Sequence, residues 1–304
     1  PYLRPQSLQR TFYGSGAPDE MRRRPTRILG AAGFSLALTQ ATRRELEDCD
    51  ALLSSWCVPS GWAASRAARG RPHLCICHAT DIRWLAKLPG GRQIAQAIHA
   101  GATSMWFLSP RLREEFCAIA GVEPMQVRSN VGSMPIERPV QLNYSRAALR
   151  SDLGLDRFTL LFLGRLVRVK GAADLLTALA GLPDPPSIRI AGDGPERGPL
   201  RALAERFGID AKFEGWVSGE RKEALLRACD ALVLPSRPKD GLPTVLFEAR
   251  ARRLPIIATE LSAIPSLLRD DPGVELVPAN DGAALRRAIA RAQAHANVGA
   301  AVRA

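Results

Sequence analysis

Arg165 and Lys170 are the two side chains in this sequence best placed to neutralise a phosphate or diphosphate. They stand in Gly164-Arg-Leu-Val-Arg-Val-Lys-Gly171, directly after the apolar run Leu160 to Leu163. The carboxyl end of a strand faces the ligand crevice of an open α/β sheet, a glycine there admits a ligand close to the backbone, and two cations can grip a diphosphate. Arginine supplies a planar fork and lysine a mobile point charge, so their actions are complementary. Taken alone, the same residues equally describe a solvated basic turn after a strand.

A second segment, Asp240-Gly-Leu-Pro-Thr-Val-Leu-Phe-Glu248, follows the apolar run Ala231 to Leu234 and leads into a helix. Pro243 suits the first turn of that helix, whose free N–H groups and dipole favour an anion. Asp240 and Glu248 can border one cleft if the loop folds back, and carboxylates accept hydrogen bonds from sugar hydroxyls. The alternative makes Asp240 a helix cap and Glu248 an exposed helical acid. Ile190-Ala-Gly-Asp-Gly-Pro195 superficially looks like a dinucleotide fingerprint. It lacks the third glycine at the required spacing and does not follow the first strand of its domain, so it reads as a tight turn shaping the cleft wall. Among four histidines, His78 has the best position, at the end of the apolar run His73 to Cys77 and ahead of Ala79-Thr-Asp81. It can bind a sugar or phosphate or act as an acid or base, although a lone histidine is more often structural.

The elements that must hold these residues are legible in the alternation of apolar runs and helical patterns from Asp156 onward. Strands are expected at Phe158 to Leu163, Ser187 to Ala191, Lys212 to Phe213, Ala231 to Leu234, Pro255 to Ala258 and Val274 to Val277, which makes βαβ units and a parallel, doubly wound sheet. A looser series upstream has strands at Ala51 to Ser54, His73 to Cys77 and Thr103 to Phe107, with helices near Ile28 to Glu47, Gly61 to Arg69 and Pro110 to Ala118. Met134-Pro-Ile-Glu-Arg-Pro139 separates the series, giving two Rossmann-like domains, 1–139 and 140–304. They are expected to face each other across a cleft that holds the ligand.

Composition narrows the class. The 304 residues are 46% hydrophobic and 24% charged, which excludes disorder and fibre. A net charge of +12 invites a nucleic acid or anionic membrane, yet only five of the 42 basic residues are lysines and no tight basic run is interleaved with aromatics, so nucleic acid is not expected. The six cysteines form no C-x-x-C pair, which fits a reduced cytosol, with Cys75 and Cys77 packing on one face of a strand. No apolar stretch is long enough to cross a bilayer, and the run Ile28 to Leu38 after Arg22, Arg23, Arg24 and Arg27 reads as an amphipathic helix. The chain opens at Pro1 rather than Met, and an incomplete chain is the expectation.

Together these segments resemble the retaining, nucleotide-sugar-dependent glycosyltransferases of the GT-B fold, in the large group called family 4. Gly164 to Gly171 looks like that family's G-R-L-x-x-x-K-G, Ile190 to Pro195 like its A-G-D-G-P turn, Phe213-Glu-Gly-Trp-Val217 like its nucleobase wall, and Asp240 to Glu248 like its E-x7-E pair. Upstream, Ser55-Trp-Cys-Val-Pro-Ser-Gly61 looks like H-x-W-x-x-P-x-G and His78 to Asp81 like H-G-S-D, and Asp19 to Pro25 fits the variable stretch before them. The resemblance implies a sugar moved from a UDP-sugar or GDP-sugar to a glycan or lipid-linked acceptor, with retention and without a metal or other cofactor, as in polysaccharide biosynthesis. Arg165 and Lys170 would bind the departing diphosphate. Asp240 and His78 would contact the donor sugar and Glu248 the ribose. Backbone groups of Leu242 and Pro243 would meet the phosphates near Gly164, and Trp216 and Val217 would lie along the base. It implies a cytoplasmic location, with peripheral contact at the inner face of the membrane. The acceptor is expected to attack from the face the diphosphate leaves, its proton passing to the leaving oxygen.

The pattern also differs in places. Asp240 stands where Glu is usual, Ser55 where the first motif has His, Arg250, Arg252 and Arg253 where Met, Cys and Gly are usual, and Ser262-Ala263 where two glycines follow. The family's first strand with its Gly-rich loop, and its final crossover helix, have no counterpart in these residues. A non-catalytic or truncated nucleotide-sugar-binding module is therefore the alternative reading.

Overall fold

The computed structural model describes residues 27–132, 136, 138–238, 240, 242–261 and 264–301. Asp19 to Pro25 and Arg22 to Arg24, with part of the Met134–Pro139 segment and Ser262-Ala263, therefore lie outside the described residues. The chain divides into two compact units, Pro1–Ser133 and Met134–Ala304, a few residues ahead of the division drawn at Pro139.

In the first unit the elements are α1 (Arg27–Glu45), β1 (Leu52–Ser55), α2 (Trp62–Ala67), β2 (His73–Cys77), α3 (Ala79–Leu85), α4 (Gly91–Gly101), β3 (Ser104–Phe107), α5 (Pro110–Ala120) and β4 (Ser129–Val131). The strands pair in parallel in the order β1-β2-β3-β4. Cys75 and Cys77 are both fully buried on one face of β2, as strand alternation requires. Helix α5 is well signposted: Ser109 Oγ accepts the Leu112 N–H at 3.3 Å, Pro110 opens the first turn and Gly121 closes the helix in the left-handed region. Strand β4 was not foreseen, because Ser-Asn-Val carries no apolar run. It forms because Met105 to Phe107 of β3 offers a free ladder to Ser129 to Val131, so tertiary pairing overrides local preference.

The second unit runs α6 (Arg146–Leu153), β5 (Thr159–Leu163), α7 (Ala172–Ala180), β6 (Ser187–Ala191), α8 (Arg197–Arg206), β7 (Ala211–Gly215), α9 (Gly219–Ala228), β8 (Ala231–Leu234), α10 (Thr244–Ala251), β9 (Ile256–Thr259), α11 (Ile264–Leu268), β10 (Val274–Val277) and α12 (Gly282–Ala301). Its six parallel strands take the order β10-β9-β8-β5-β6-β7. Every residue of β5, β6, β8 and β9 is buried, which is why they read as nearly unbroken apolar runs. The outermost strands β7 and β10 are only partly buried. Strand β7 is longer than Lys212 to Phe213 because Glu214, polar in sequence, is buried against Arg189 of β6 at 3.1 Å. The chain builds outward from β5 through β7, then returns to place β8 on the other side of β5. The reversal of strand order therefore falls between β5 and β8, where open α/β sheets bind ligands.

Candidate active site

The two loops that leave β5 and β8 flank this reversal and are locked together by their backbones. Leaving β5, Gly164 donates its N–H to Ala191 O at 3.0 Å, and Leu166 donates to Asp193 O at 2.9 Å, so the 190–195 turn braces the loop from one side. On the other side Arg237 donates its N–H to Val169 O at 2.7 Å. Two glycines are required by this fit. A Cβ on Gly192 would overlap the Gly164 carbonyl oxygen, and one on Gly171 would overlap that of Pro235; both have positive φ, +135° and +73°. The A-G-D-G-P turn thus supports the 164–171 loop through its backbone.

The structure brings Lys170 and Asp240 together. Lys170 Nζ donates to Asp240 Oδ2 at 2.9 Å, with only 18% and 10% of the two side chains exposed. Pro243, at the N-cap of α10, offers no side-chain cap; the Asp240 carboxylate is turned to Lys170. Arg165, in the same loop as Lys170, is exposed; among the described residues its guanidinium has no ion-pair partner. Gly164 is half-buried at the bend that follows β5, and there is room beside it, with Lys170 Cδ, 4.0 Å away, the nearest atom to a Cβ placed there. Next to them Arg237 makes a bidentate pair with Asp174 of α7, at 2.7 and 2.6 Å. The Asp174 hydrogen bonds hold the Arg237 pKa above its ordinary value.

Pro243 is buried and sits one position before α10 rather than within its first turn, with φ −73° and ψ 122°, and Leu242 beside it is half-buried. The first N–H groups of α10 have no partner within the helix, as at any helix start, and follow the loop that leaves β8. Glu248, a little over one turn further on, is not an exposed helical acid. Its carboxylate lies 3.3 Å from Lys222 Nζ of α9, with the side chains 12% and 16% exposed. Arg252 joins the same helices, donating to the Glu248 carbonyl oxygen at 2.8 Å and to the buried Glu223 carboxylate at 2.5 to 3.0 Å. Trp216 leaves the end of β7 with 76% of its surface exposed, while Val217 packs against the core. Lys222 and Arg237 were not singled out as site residues in sequence, and Arg252 was noted only as a departure from the family pattern. Their ion-pair partners lie 26 to 63 residues away along the chain, and Lys222 stood out only as one of five lysines. A cavity of about 350 Å³ adjoins Arg237 at the carboxyl ends of β8 to β10, lined also by Asp174, Thr259, Asn280 and Arg286.

In the first unit, His78 ends β2 and precedes α3, half-buried. Its Nε2 lies 3.0 Å from Ser55 Oγ and its ring centroid 5.8 Å from that of Trp56. Burial lowers its pKa, so the imidazole is neutral at pH 7. Asp81 fixes the segment beneath: Oδ2 accepts the Cys57 N–H at 2.5 Å and Oδ1 the Ile82 N–H at 2.8 Å. Burial raises its pKa to about 6. His73 is a buried core residue, its Nε2 2.8 Å from Ser54 Oγ. All six cysteines are free, and the described residues hold no cluster of three or more possible metal ligands.

Residues 157–295 match the family model described as glycosyl transferases, group 1, the family the motifs resemble. The chain is 28% identical over 247 residues to the putative teichuronic acid biosynthesis glycosyltransferase TuaC of Bacillus subtilis, covering 80% of this chain and 61% of that one. It is 35% identical over 166 residues to the phosphatidyl-myo-inositol mannosyltransferase of Mycobacterium leprae, covering 52% and 44%. The chain thus spans less than two thirds of the length of these relatives. Among solved structures, Anabaena HepE in complex with UDP superposes with a TM-score of 0.68 at 18% identity, covering 83% of this chain and 71% of that one. At that identity the likeness shows the fold, the parallel α/β architecture of GT-B glycosyltransferases.

Proposed function

We propose, from the premise that residues 157–295 form a group 1 glycosyltransferase domain, that the protein moves a sugar from a nucleoside diphosphate sugar to an acceptor with retention and without a metal. The observation that carries this reading is the meeting, at the strand-order reversal, of a loop bearing Arg165 and Lys170 with a loop bearing Asp240. Arg165 and Lys170 are assigned to the diphosphate. As the bond between the anomeric carbon and the diphosphate oxygen breaks, negative charge grows on that oxygen, and fixed cations there are worth about 3 kcal/mol each in the transition state. The acceptor hydroxyl oxygen bonds to the anomeric carbon from the vacated face and its proton passes to the leaving oxygen, so no separate base is required.

Glu248 is assigned to the ribose and Asp240 to the donor sugar, while Trp216 and Val217 are assigned to the base and the N–H groups beyond Leu242 and Pro243 to the phosphates. The resemblance assigns His78 to the donor sugar as well, and a neutral imidazole can both donate to and accept from hydroxyls. The relatives named for teichuronic acid biosynthesis and phosphatidyl-myo-inositol support a glycan or lipid-linked acceptor. The charge of +12 supports peripheral contact with an anionic leaflet at the cytoplasmic face. No described helix is long and apolar enough to cross a membrane.

The test is a thermal-shift screen of UDP, GDP, ADP and their sugars, because a ligand that binds only the native state must raise its stability. One base class is expected to raise the melting temperature, and Arg165→Ala and Lys170→Ala are expected to weaken that effect. A flat response to the whole panel would overturn the reading. The second reading, a module that binds the donor without turnover, is favoured by Asp240 standing one methylene short and paired with Lys170. Donor consumption with release of nucleoside diphosphate rules it out.

A further inference from the structure

The Glu248 carboxylate, assigned to the ribose, does not stand alone. It is held at 3.3 Å by Lys222, and both side chains are largely buried. Lys222 lies in the first turn of α9, the helix that starts at Gly219, two residues after Val217. The same two helices are joined again by Arg252, which grips the Glu223 carboxylate next to Lys222 and the Glu248 carbonyl oxygen. Helix α9 therefore links the exposed tryptophan after β7 to the acid on α10.

We propose that Lys222 is a positioning residue for ribose recognition, holding the Glu248 carboxylate turned so that it accepts both ribose hydroxyls of the donor nucleotide. The inference rests on the site reading above. A carboxylate has capacity to accept several hydrogen bonds, so one ammonium partner leaves room for a diol. A fixed cation on its far side also removes the rotamer freedom that binding would otherwise have to freeze. Arg252 cannot substitute, because its fork is committed to Glu223 and to a backbone oxygen.

The experiment measures, by calorimetry on the full chain, affinities for UDP, GDP and ADP, each beside its 2′,3′-dideoxy counterpart. Lys222→Met is expected to weaken the preferred ribonucleotide about tenfold while leaving the dideoxy form unchanged, as Glu248→Gln does, and Lys222→Arg restores part of the preference. Circular dichroism and urea midpoints establish that each variant is folded; should Lys222→Met fail to fold, Lys222→Gln takes its place. Equal losses on both forms, or no loss on either, overturn the inference. If Glu248→Gln loses the ribose preference and Lys222→Met keeps it, the role of Lys222 falls while the Glu248 assignment stands. If Arg165→Ala and Lys170→Ala leave every nucleotide unaffected, the site reading itself has failed.

Discussion

Replacing Asp240 by Asn should tighten the binding of a free nucleoside diphosphate, although it removes a carboxylate from the site. In the structure Lys170 gives its hydrogen bond to Asp240 at 2.9 Å, and both groups are more than four-fifths buried. A diphosphate that claims Lys170 must displace this acid or share the lysine with it, and a hydrogen bond to a charged group contributes about 1.5–3 kcal/mol. The carboxylate also repels the incoming anion: two unit charges 6 Å apart interact by about 3 kcal/mol at an effective dielectric of 20, an upper bound that solvent reduces. Taking about 1.5 kcal/mol as the net gain, Asp240→Asn should bind the diphosphate about tenfold more tightly than the wild type. The unliganded variant should also melt lower, since Lys170 loses its partner, and the ligand-induced rise should be larger. Calorimetry with the diphosphate selected by the thermal screen, repeated at low and high salt, measures this directly. Affinity that is unchanged or weaker in Asp240→Asn would refute the argument that the pair guards the anion site.

Arg165→Ala should lower nucleoside diphosphate affinity at least tenfold, while shifting unfolding free energy by no more than about 0.5 kcal/mol, because its side chain is exposed; calorimetry beside urea unfolding separates the two. Arg252→Leu should destabilise the second unit by about 3–5 kcal/mol in urea unfolding by leaving the Glu223 carboxylate, 3% exposed, buried without its cation. The double variant with Glu223→Leu should regain much of that, and a mild single-variant effect would count against a buried pair. For Asp81, the folded-state pKa of about 6 lies above the ordinary value of 3.8, so the native state prefers the protonated acid. Its contribution is therefore fully present below about pH 4 and is lost as pH rises through about 6, a change of about 3 kcal/mol. Asp81→Asn should flatten that part of the stability profile, and parallel profiles for the two proteins would dismiss it.

Much of the architecture was legible because burial leaves a strong imprint. Strands covered on both faces must be apolar throughout, so β5, β6, β8 and β9 could be placed within a residue or two. Strands that owe their existence to a neighbour leave a weaker mark. Ser129 to Val131 pairs with β3 despite its polar composition, and β7 extends through Glu214 because Arg189 neutralises it. At the candidate site, the residue types and their position at strand ends singled out Arg165, Lys170, Asp240, Glu248 and His78. The state of those side chains was not legible. Asp240 was open between cap and ligand, and Glu248 between exposed acid and ligand, because neither Lys170 nor Lys222 is a neighbour in sequence.

The amino-acid sequence by itself determined which segments become buried strands, which turns need glycine and which charged residues arrive at strand ends, since these depend on local chemistry and on apolar periodicity. Only the tertiary structure decided that the loops after β5 and β8 lie side by side, that Lys170 faces Asp240, and that Lys222 holds Glu248. Such pairings follow from the order in which strands enter the sheet, and that order is set by the packing of the whole unit.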